Sequence, residues 1–235
     1  MSKASSKWFT QLRGRFVVFD GPDGSGKTTQ FDRFCLEART AGVGVCPVRD
    51  PGGTEIGDQI RRILLDPHHH DHIDVRCEML LFMASRAQLV IQTIEPALRD
   101  GQLVLADRFI SSTLAYQGAA GGMDPTEILN VGHAAVGDCW PDLVVIFDVA
   151  PDAAAERLAA SPKTKQQGRF EVDAPTLFSD RMEVKGTQYH HAVRNGYLQQ
   201  IEQDPQHYLK INAAPDADTV FQSLMEALQE WVTTG

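Results

Sequence analysis

Apolar residues gather into five short runs rich in β-branched side chains, at Phe16–Phe19, Val43–Val48, Leu103–Ala106, Leu143–Val149 and Tyr208–Ile211. Runs that are continuously apolar, not alternating, predict strands buried on both faces, which is the habit of parallel sheets. The stretches between them are long and helical in character. Strands alternating with helices predict a three-layer α/β fold around a five-stranded parallel sheet. Over Glu78–Arg99, residues Leu80, Met83, Ala87, Ile91, Ile94 and Leu98 recur at spacings of three and four. That spacing predicts one helix buried along this stripe, with Pro96 bending its last turns. Phe82 and Arg86 fall one turn apart on the opposite side. The segment Ala159–Ser179 breaks the pattern with Pro162, Pro175, Lys163, Lys165 and two glutamines, and predicts a mobile surface loop. No solenoid-type repeat is present, and the His68–His72 cluster is the one low-complexity tract.

Composition narrows the picture without changing it. With 235 residues the chain is long enough for one full core, and 43% hydrophobic against 23% charged residues is ordinary for a globular protein. The balance of 22 basic and 31 acidic residues, a net charge of −9, argues against broad attachment to nucleic acid or to anionic membrane. Phosphate ligands stay open, because local charge binds them. No apolar run approaches the roughly 20 residues of a membrane helix. Met1–Gly14 carries Lys3, Lys7 and Arg13 without the apolar core of a secretory signal, and is expected to be a polar extension before a domain over residues 15–235. Mitochondrial targeting is the alternative for this segment. Cys35, Cys46, Cys77 and Cys139 are far apart and form no Cys-x-x-Cys pair, which fits a reducing cytoplasm better than a disulfide framework or a zinc site. His68, His69, His70 and His72 with Asp71 have metal-ligand chemistry, but neutral imidazoles in a solvated loop are the simpler reading.

The chemistry starts after the first strand. Gly21-Pro-Asp-Gly-Ser-Gly26-Lys27-Thr28-Thr29 fits Gly-x-x-x-x-Gly-Lys-Ser/Thr and stands between a predicted strand and an amphipathic segment, the setting of a P-loop NTPase fold. Glycines let successive N–H groups converge on phosphate oxygens, and the following helix directs its positive end at them. Lys27 brings a point charge to the β- and γ-phosphates, and the Thr28 hydroxyl is placed to ligate Mg²⁺.

A phosphate loop alone does not separate kinases from other nucleotide hydrolases and binders. The third run ends in Asp107-Arg108, at the carboxyl end where ligands gather in parallel sheets. Asp107 suits a metal held through water and Arg108 suits a second phosphate group, unless the two merely form a surface ion bridge. Phe82 and Arg86 suit stacking on a base and donation to a carbonyl on its edge; the alternative is that Phe82 packs on another helix or a partner subunit.

Combined, these strings resemble the thymidylate kinase family from about Arg15 onward. The resemblance is carried by Gly21–Thr29, Arg49-Asp-Pro-Gly-Gly-Thr54, Phe82…Arg86, Asp107-Arg108-Phe109, Ser112–Gln117 and Pro141-Asp-Leu…Asp148. Asp180-Arg-Met-Glu183, Gly186, Tyr189-His190, Val193-Arg194 and Gly196-Tyr197-Leu198 extend it. It implies transfer of the γ-phosphoryl of Mg·ATP to dTMP, giving dTDP and ADP in dTTP biosynthesis, by a homodimeric P-loop kinase with a mobile lid over about residues 159–183; Leu89, on the helix of Phe82, is expected among the surface apolar residues that suit a dimer.

The resemblance also implies roles. Gly21, Gly24, Ser25, Gly26, Lys27, Thr28 and Thr29 would bind ATP, with Arg157 against adenine. Asp23, Asp50, Pro51, Phe82, Arg86, Arg108, Thr113, Tyr116 and Gln117 would bind dTMP. Within that set Phe82 stacks on thymine, Arg86 reads its carbonyl, Thr113 takes the ring N–H edge, and Arg108 holds the phosphate. Tyr116 crowds the 2′ carbon, and Asp23 assists the sugar or phosphate. Thr28 and Asp107 would serve the metal. Lys27, Asp23, Arg108 and a lid arginine would carry the transfer. Arg181 has the better frame for that last part than Arg169, because the Gly, Tyr-His and Val-Arg-x-Gly-Tyr positions follow in step. Two departures stand out: Asp50 replaces the family's usual Glu, and the lid is lengthened.

Overall fold

Five strands form one parallel sheet in the order β2-β3-β1-β4-β5, with β1 at Phe16–Asp20, β2 at Val45–Arg49, β3 at Leu103–Asp107, β4 at Leu143–Asp148 and β5 at Tyr208–Asn212. The computed structural model describes residues 7–66, 73–160 and 186–234. Around the sheet stand α1 (Lys27–Thr40), α2 (Glu55–Leu65), α3 (Val75–Leu89), α4 (Glu95–Arg99), α5 (Ile110–Thr113), α6 (Pro125–Val136), α7 (Pro151–Ala160), α8 (Gly186–Gln203) and α9 (Ala217–Thr234). All five predicted strands are present within one or two residues of their apolar runs.

Alternate residues of the central strands feed two cores, which is why the runs are apolar throughout. Val17, Phe19, Leu105, Val145 and Phe147 point into one, shared with α1 and α9; Phe16, Val18, Val104, Ala106, Val144 and Ile146 point into the other, shared with α3 to α5 and α8. Register matters for function because Phe19 pairs with Asp107 and Asp20 with Ile146, so the carboxyl ends of β1, β3 and β4 finish together at one edge of the sheet.

Three expectations need correction. The expected polar extension is not wholly polar: Lys7–Leu12 forms a 3₁₀ turn that buries Trp8, Phe9 and Leu12 in the first core, with the Phe9 ring 5.7 Å from that of Phe34. The charges of Lys3, Lys7 and Arg13 had outweighed Trp8, Phe9 and Leu12 in that expectation.

The second concerns the expected helix over Glu78–Arg99. It starts earlier, at Val75, and passes through a π-helical turn at Val90–Ile94 before Pro96 opens α4, where the missing proline N–H is tolerated. Its buried side is also rotated from the expected stripe. Leu80 and Ile91 are 49% and 66% exposed, whereas Phe82 and Arg86 are buried with Met79, Met83 and Leu89. Met79 to Met83 are apolar without a break, so spacing could not choose between faces; packing of α3 against both α2 and α6 does. Third, Leu89, expected at the surface, is fully buried. The His68–His72 cluster, Arg169, Arg181 and nearly all of the predicted lid lie outside the described residues.

Candidate active site

The loop from Gly21 to Gly26 crosses from β1 into α1 at the carboxyl edge of the sheet. Its glycines are needed for space as well as for turning. Gly24 has φ +77°, and any Cβ there would collide with the carbonyl of Ala154. Gly26, also left-handed, precedes α1 without a side-chain cap, so the first amides of the helix stay open to an anion. Thr28 and Thr29 are exposed on that first turn.

Lys27 is buried, its ammonium 3.8 Å from Asp23. Burial first, and then the charge of Arg108, pull its pKa below the usual lysine value against the opposing pull of Asp23, Asp107 and Asp20. A group so placed gains a strong partner when a phosphate arrives. The Ser25 hydroxyl and one Asp107 carboxylate oxygen are buried without a hydrogen-bond partner. An orphaned carboxylate oxygen at the end of β3, together with an open hydroxyl at Thr28, is a donor set that fits a hard divalent cation.

Beside the loop lies a pocket lined by Asp50, Phe82, Arg86, Arg108, Ser112, Thr113, Tyr116 and Gln117. All but Ser112 were expected there. Phe82 reaches it because α3 turns that side inward. Arg86 is 1% exposed and gives both Nε and Nη2 to the same oxygen of Asp50, at 2.7 and 2.5 Å. Nη2 also donates to Thr113 at 3.3 Å, and Nη1 to the Met83 sulfur at 3.0 Å. Of the five guanidinium protons this leaves one on Nη1 for a ligand. Asp50, the shorter carboxylate, is thus the partner of Arg86; burial pushes its carboxyl up, against the downward pull of Arg86, and its second oxygen is buried and unpartnered. The Asp50–Pro51 peptide is cis, and the Pro51 carbonyl accepts from Arg61 at 2.8 Å. Gln117 donates to Glu78 at 3.0 Å, so its amide orientation is set from behind the pocket.

Arg108 joins pocket and loop. It is a non-glycine residue at φ +72°, a conformation costing about 1–3 kcal/mol and kept where surroundings fix it. Its amide donates to the Phe19 carbonyl at 3.0 Å, Nη2 binds Asp23 at 2.5 Å, and Nη1 donates to Ser112 at 2.9 Å. Asp23 also accepts from the Tyr116 hydroxyl at 3.2 Å. Burial pushes the Asp23 carboxyl up, but Arg108 and Lys27 together with these hydrogen bonds outweigh it and hold its pKa below the ordinary carboxylate value.

Arg157 stands apart from this cluster. Its guanidinium donates in its own plane to the carbonyls of Ala213, Ala214 and Pro215 at 2.7, 2.7 and 3.2 Å, which fixes the plane beside the loop before α9.

Several residues of the site had been given no role from the sequence. Asp20, fully buried, accepts from Ser111, Ser112, Tyr197 and the Gly21 amide. Glu78 fixes Gln117. Arg61 is buried beside Pro51; burial, with the charge of Arg49, pushes its pKa down to about 10. A carboxylate closing an otherwise apolar strand, as Asp20 does, was a usable signal. Tyr197 stood only in the matching string Gly196-Tyr197-Leu198, and nothing local marked it or Ser111 as a partner of Asp20.

A family model described as thymidylate kinase matches residues 19–224. The chain is 34% identical over 221 residues to the thymidylate kinase of Oceanobacillus iheyensis, covering 94% of this chain and 92% of that one. It is 36% identical to that of a Geobacillus species, covering 94% and 99%, and 38% identical to that of Solidesulfovibrio magneticus, covering 89% and 96%.

Proposed function

The chain belongs to the thymidylate kinase family, and from that premise we propose that the pocket beside Phe82 receives dTMP while the glycine loop receives ATP, the products being dTDP and ADP. The observation that carries this placement is Arg108, whose guanidinium touches both the loop acid Asp23 and the pocket. Two anionic nucleotides must meet there. An oxygen of the dTMP phosphate attacks the γ-phosphorus, and the bond to the β-bridging oxygen breaks with its electron pair leaving on ADP. Lys27 and the loop amides meet the charge on the donor, and Arg108 holds the attacking phosphate in line. No covalent enzyme intermediate is needed, so positioning in a dry site is the main contribution.

Phe82 stacks on the base, Arg86 gives its remaining Nη1 proton to a carbonyl, and Thr113 takes the ring N–H. Tyr116 fills the space of a 2′-hydroxyl, and Arg157 offers a flat face to adenine. ATP-using kinases of this kind generally need a divalent metal. Mg²⁺ is the proposed ion, with Thr28 and Asp107 as the residues that would hold it; when bound it neutralises charge on the β- and γ-phosphates. The segment between α7 and α8 would supply the lid, with Arg181→Ala lowering kcat by about 10²-fold and Arg169→Ala much less; the reverse order would move the lid role to Arg169.

A homodimer fits the apolar residues exposed on neighbouring helices: Ile56 and Ile63 of α2, Leu80 of α3, and Ile91. Leu80→Asp with Ile91→Asp should sediment as a monomer, and an unchanged mass would contradict the dimer. Four free thiols suit a reducing, cytoplasmic setting, and among the described residues no helix is long and apolar enough to cross a membrane.

ADP release measured with dTMP, dUMP, dCMP, dGMP and thymidine tests the reading. It should depend on acceptor and be greatest with dTMP; equal turnover on dGMP, or ADP release indifferent to acceptor, would overturn it.

A further inference from the structure

We propose that Tyr197 of α8 is a positioning residue for Arg108, acting through a buried hydroxyl cluster on the Asp20 carboxylate. The inference rests on the reading that Arg108 takes the acceptor phosphate. The cluster is built from three elements that meet at the end of β1. Asp20 Oδ1 accepts from the Tyr197 hydroxyl at 2.7 Å and from Ser112 at 2.7 Å, and Oδ2 accepts from Ser111 at 2.5 Å. The Tyr197 and Ser112 oxygens are 3.1 Å apart, and both face Nη1 of Arg108, at 3.3 and 2.9 Å.

Proton counting gives this cluster a direction. A phenol has one proton, and here a carboxylate at short range takes it. The oxygen lone pairs of Tyr197 are therefore left facing the guanidinium. Burial pushes the phenol's pKa well above its ordinary value, so it remains a donor to Asp20 at any working pH. Asp20 Oδ1 forms a long ion pair with Nη1 at 3.5 Å, and the two hydroxyls, at 2.9 and 3.3 Å, supply the shorter contacts on that edge.

The helix is seated tightly enough to hold this register. A Cβ on Gly196 would stand 2.6 Å from the Ala119 Cβ, so only glycine lets α8 lie against the π-helical turn Leu114–Ala119. Arg194 clamps the same helix to Asp148 by two bonds of 2.6 and 2.9 Å, and Gln200 donates to the Ser111 carbonyl at 3.2 Å. One edge of Arg108 is thereby fixed by Tyr197 and Ser112 while the other rests on Asp23. A guanidinium held at one edge loses less freedom when it grips a phosphate.

The test separates grip on phosphate from grip on nucleoside. Dissociation constants of dTMP and of thymidine are measured by calorimetry on the full chain for the parent, Arg108→Ala, Tyr197→Phe and Ser112→Ala, with melting temperatures as a check on folding. Arg108→Ala should remove most of the preference for dTMP over thymidine. Tyr197→Phe, which keeps the buried ring, should weaken dTMP by about fivefold to tenfold, the size of one hydrogen bond, and leave thymidine unchanged. The KM for ATP should also stay put. Ser112→Ala should act in the same direction and carries the test if Tyr197→Phe fails to fold. If Arg108→Ala loses the preference while both hydroxyl variants keep the parent ratio, the positioning role is wrong. If Arg108→Ala keeps the ratio, the reading of Arg108 falls first and this inference with it. Equal weakening of thymidine and dTMP in Tyr197→Phe would mark a merely structural side chain and overturn the proposal.

Discussion

The glycine loop, proposed for the donor, and the Phe82 pocket, proposed for the acceptor, lie side by side, yet they leave different shares of their polar groups unpaired. In the pocket, most polar groups meet partners within the protein, Arg86 on Asp50, Arg108 on Asp23 and Gln117 on Glu78, with one Asp50 oxygen left over. In the loop more are left for a ligand. Thr28 and Thr29 are exposed, the α1 amides have no side-chain cap, Ser25 and Asp107 have orphaned oxygens, and Lys27 is buried near Arg108 with Asp23 3.8 Å away. The contrast follows from the ligands. A triphosphate with its metal brings charge of its own and supplies the missing partners, whereas a neutral base can be read only by hydrogen-bonding groups already aimed at it.

The largest expected effect lies on the donor side. Lys27→Met should cut kcat by at least about 10³-fold, because the transferring phosphoryl loses its point charge. Its melting temperature should be unchanged or higher, since burial and Arg108 both work against the charged lysine. A large loss of stability would show that Lys27 supports the fold and would break the contrast.

On the acceptor side function and stability should fall together. Arg86→Ala leaves Asp50 as an unpaired buried charge and should destabilise the protein by about 3–5 kcal/mol. It should also cost about 1–3 kcal/mol in dTMP binding, with little change for ATP. Adding Asp50→Asn to that variant should return much of the stability and none of the dTMP affinity. Recovery of both would mean that Arg86 never touches the base.

The smallest effect concerns acid. Asp23 has a native pKa below its unfolded value of about 3.8, so its ion pairs contribute stability in full above roughly pH 5 and lose it as pH falls through the lower native value. Asp23→Asn should therefore flatten stability against pH below about 4 and leave the curve near neutrality parallel to the parent. An unchanged acid limb would show that Arg108 and Lys27 do not lower the Asp23 pKa.

The same contrast explains what the sequence made legible. The donor loop is one contiguous string in which spacing, glycines and flanking strand all carry information, and the strands were plain because two-sided burial makes each run apolar throughout. The acceptor pocket is assembled across the chain. Phe82, Arg86 and Arg108 were legible through the family resemblance and Asp20 as a carboxylate closing an apolar strand, but the pairings of Glu78 and Tyr197 with partners 39 and 177 residues away left no local pattern. The face of α3 was misjudged because an unbroken apolar run from Met79 to Met83 has no period to read, and only the packing of α2 and α6 fixes which side turns inward. The N-terminal turn was misjudged because charge was weighed over the apolar Trp8, Phe9 and Leu12.

A crystal structure with dTMP bound tests most directly whether the acceptor pocket is set before the acceptor arrives. Arg86 should keep both bonds to Asp50 and reach the base through Nη1 alone. Arg108 should keep Ser112 and Tyr197 on one edge while its other edge meets the phosphate, with pocket backbone shifts within about 1 Å. An Arg86 swung away from Asp50 to grip the base with two nitrogens, or a pocket remade by larger backbone movement, would contradict the account.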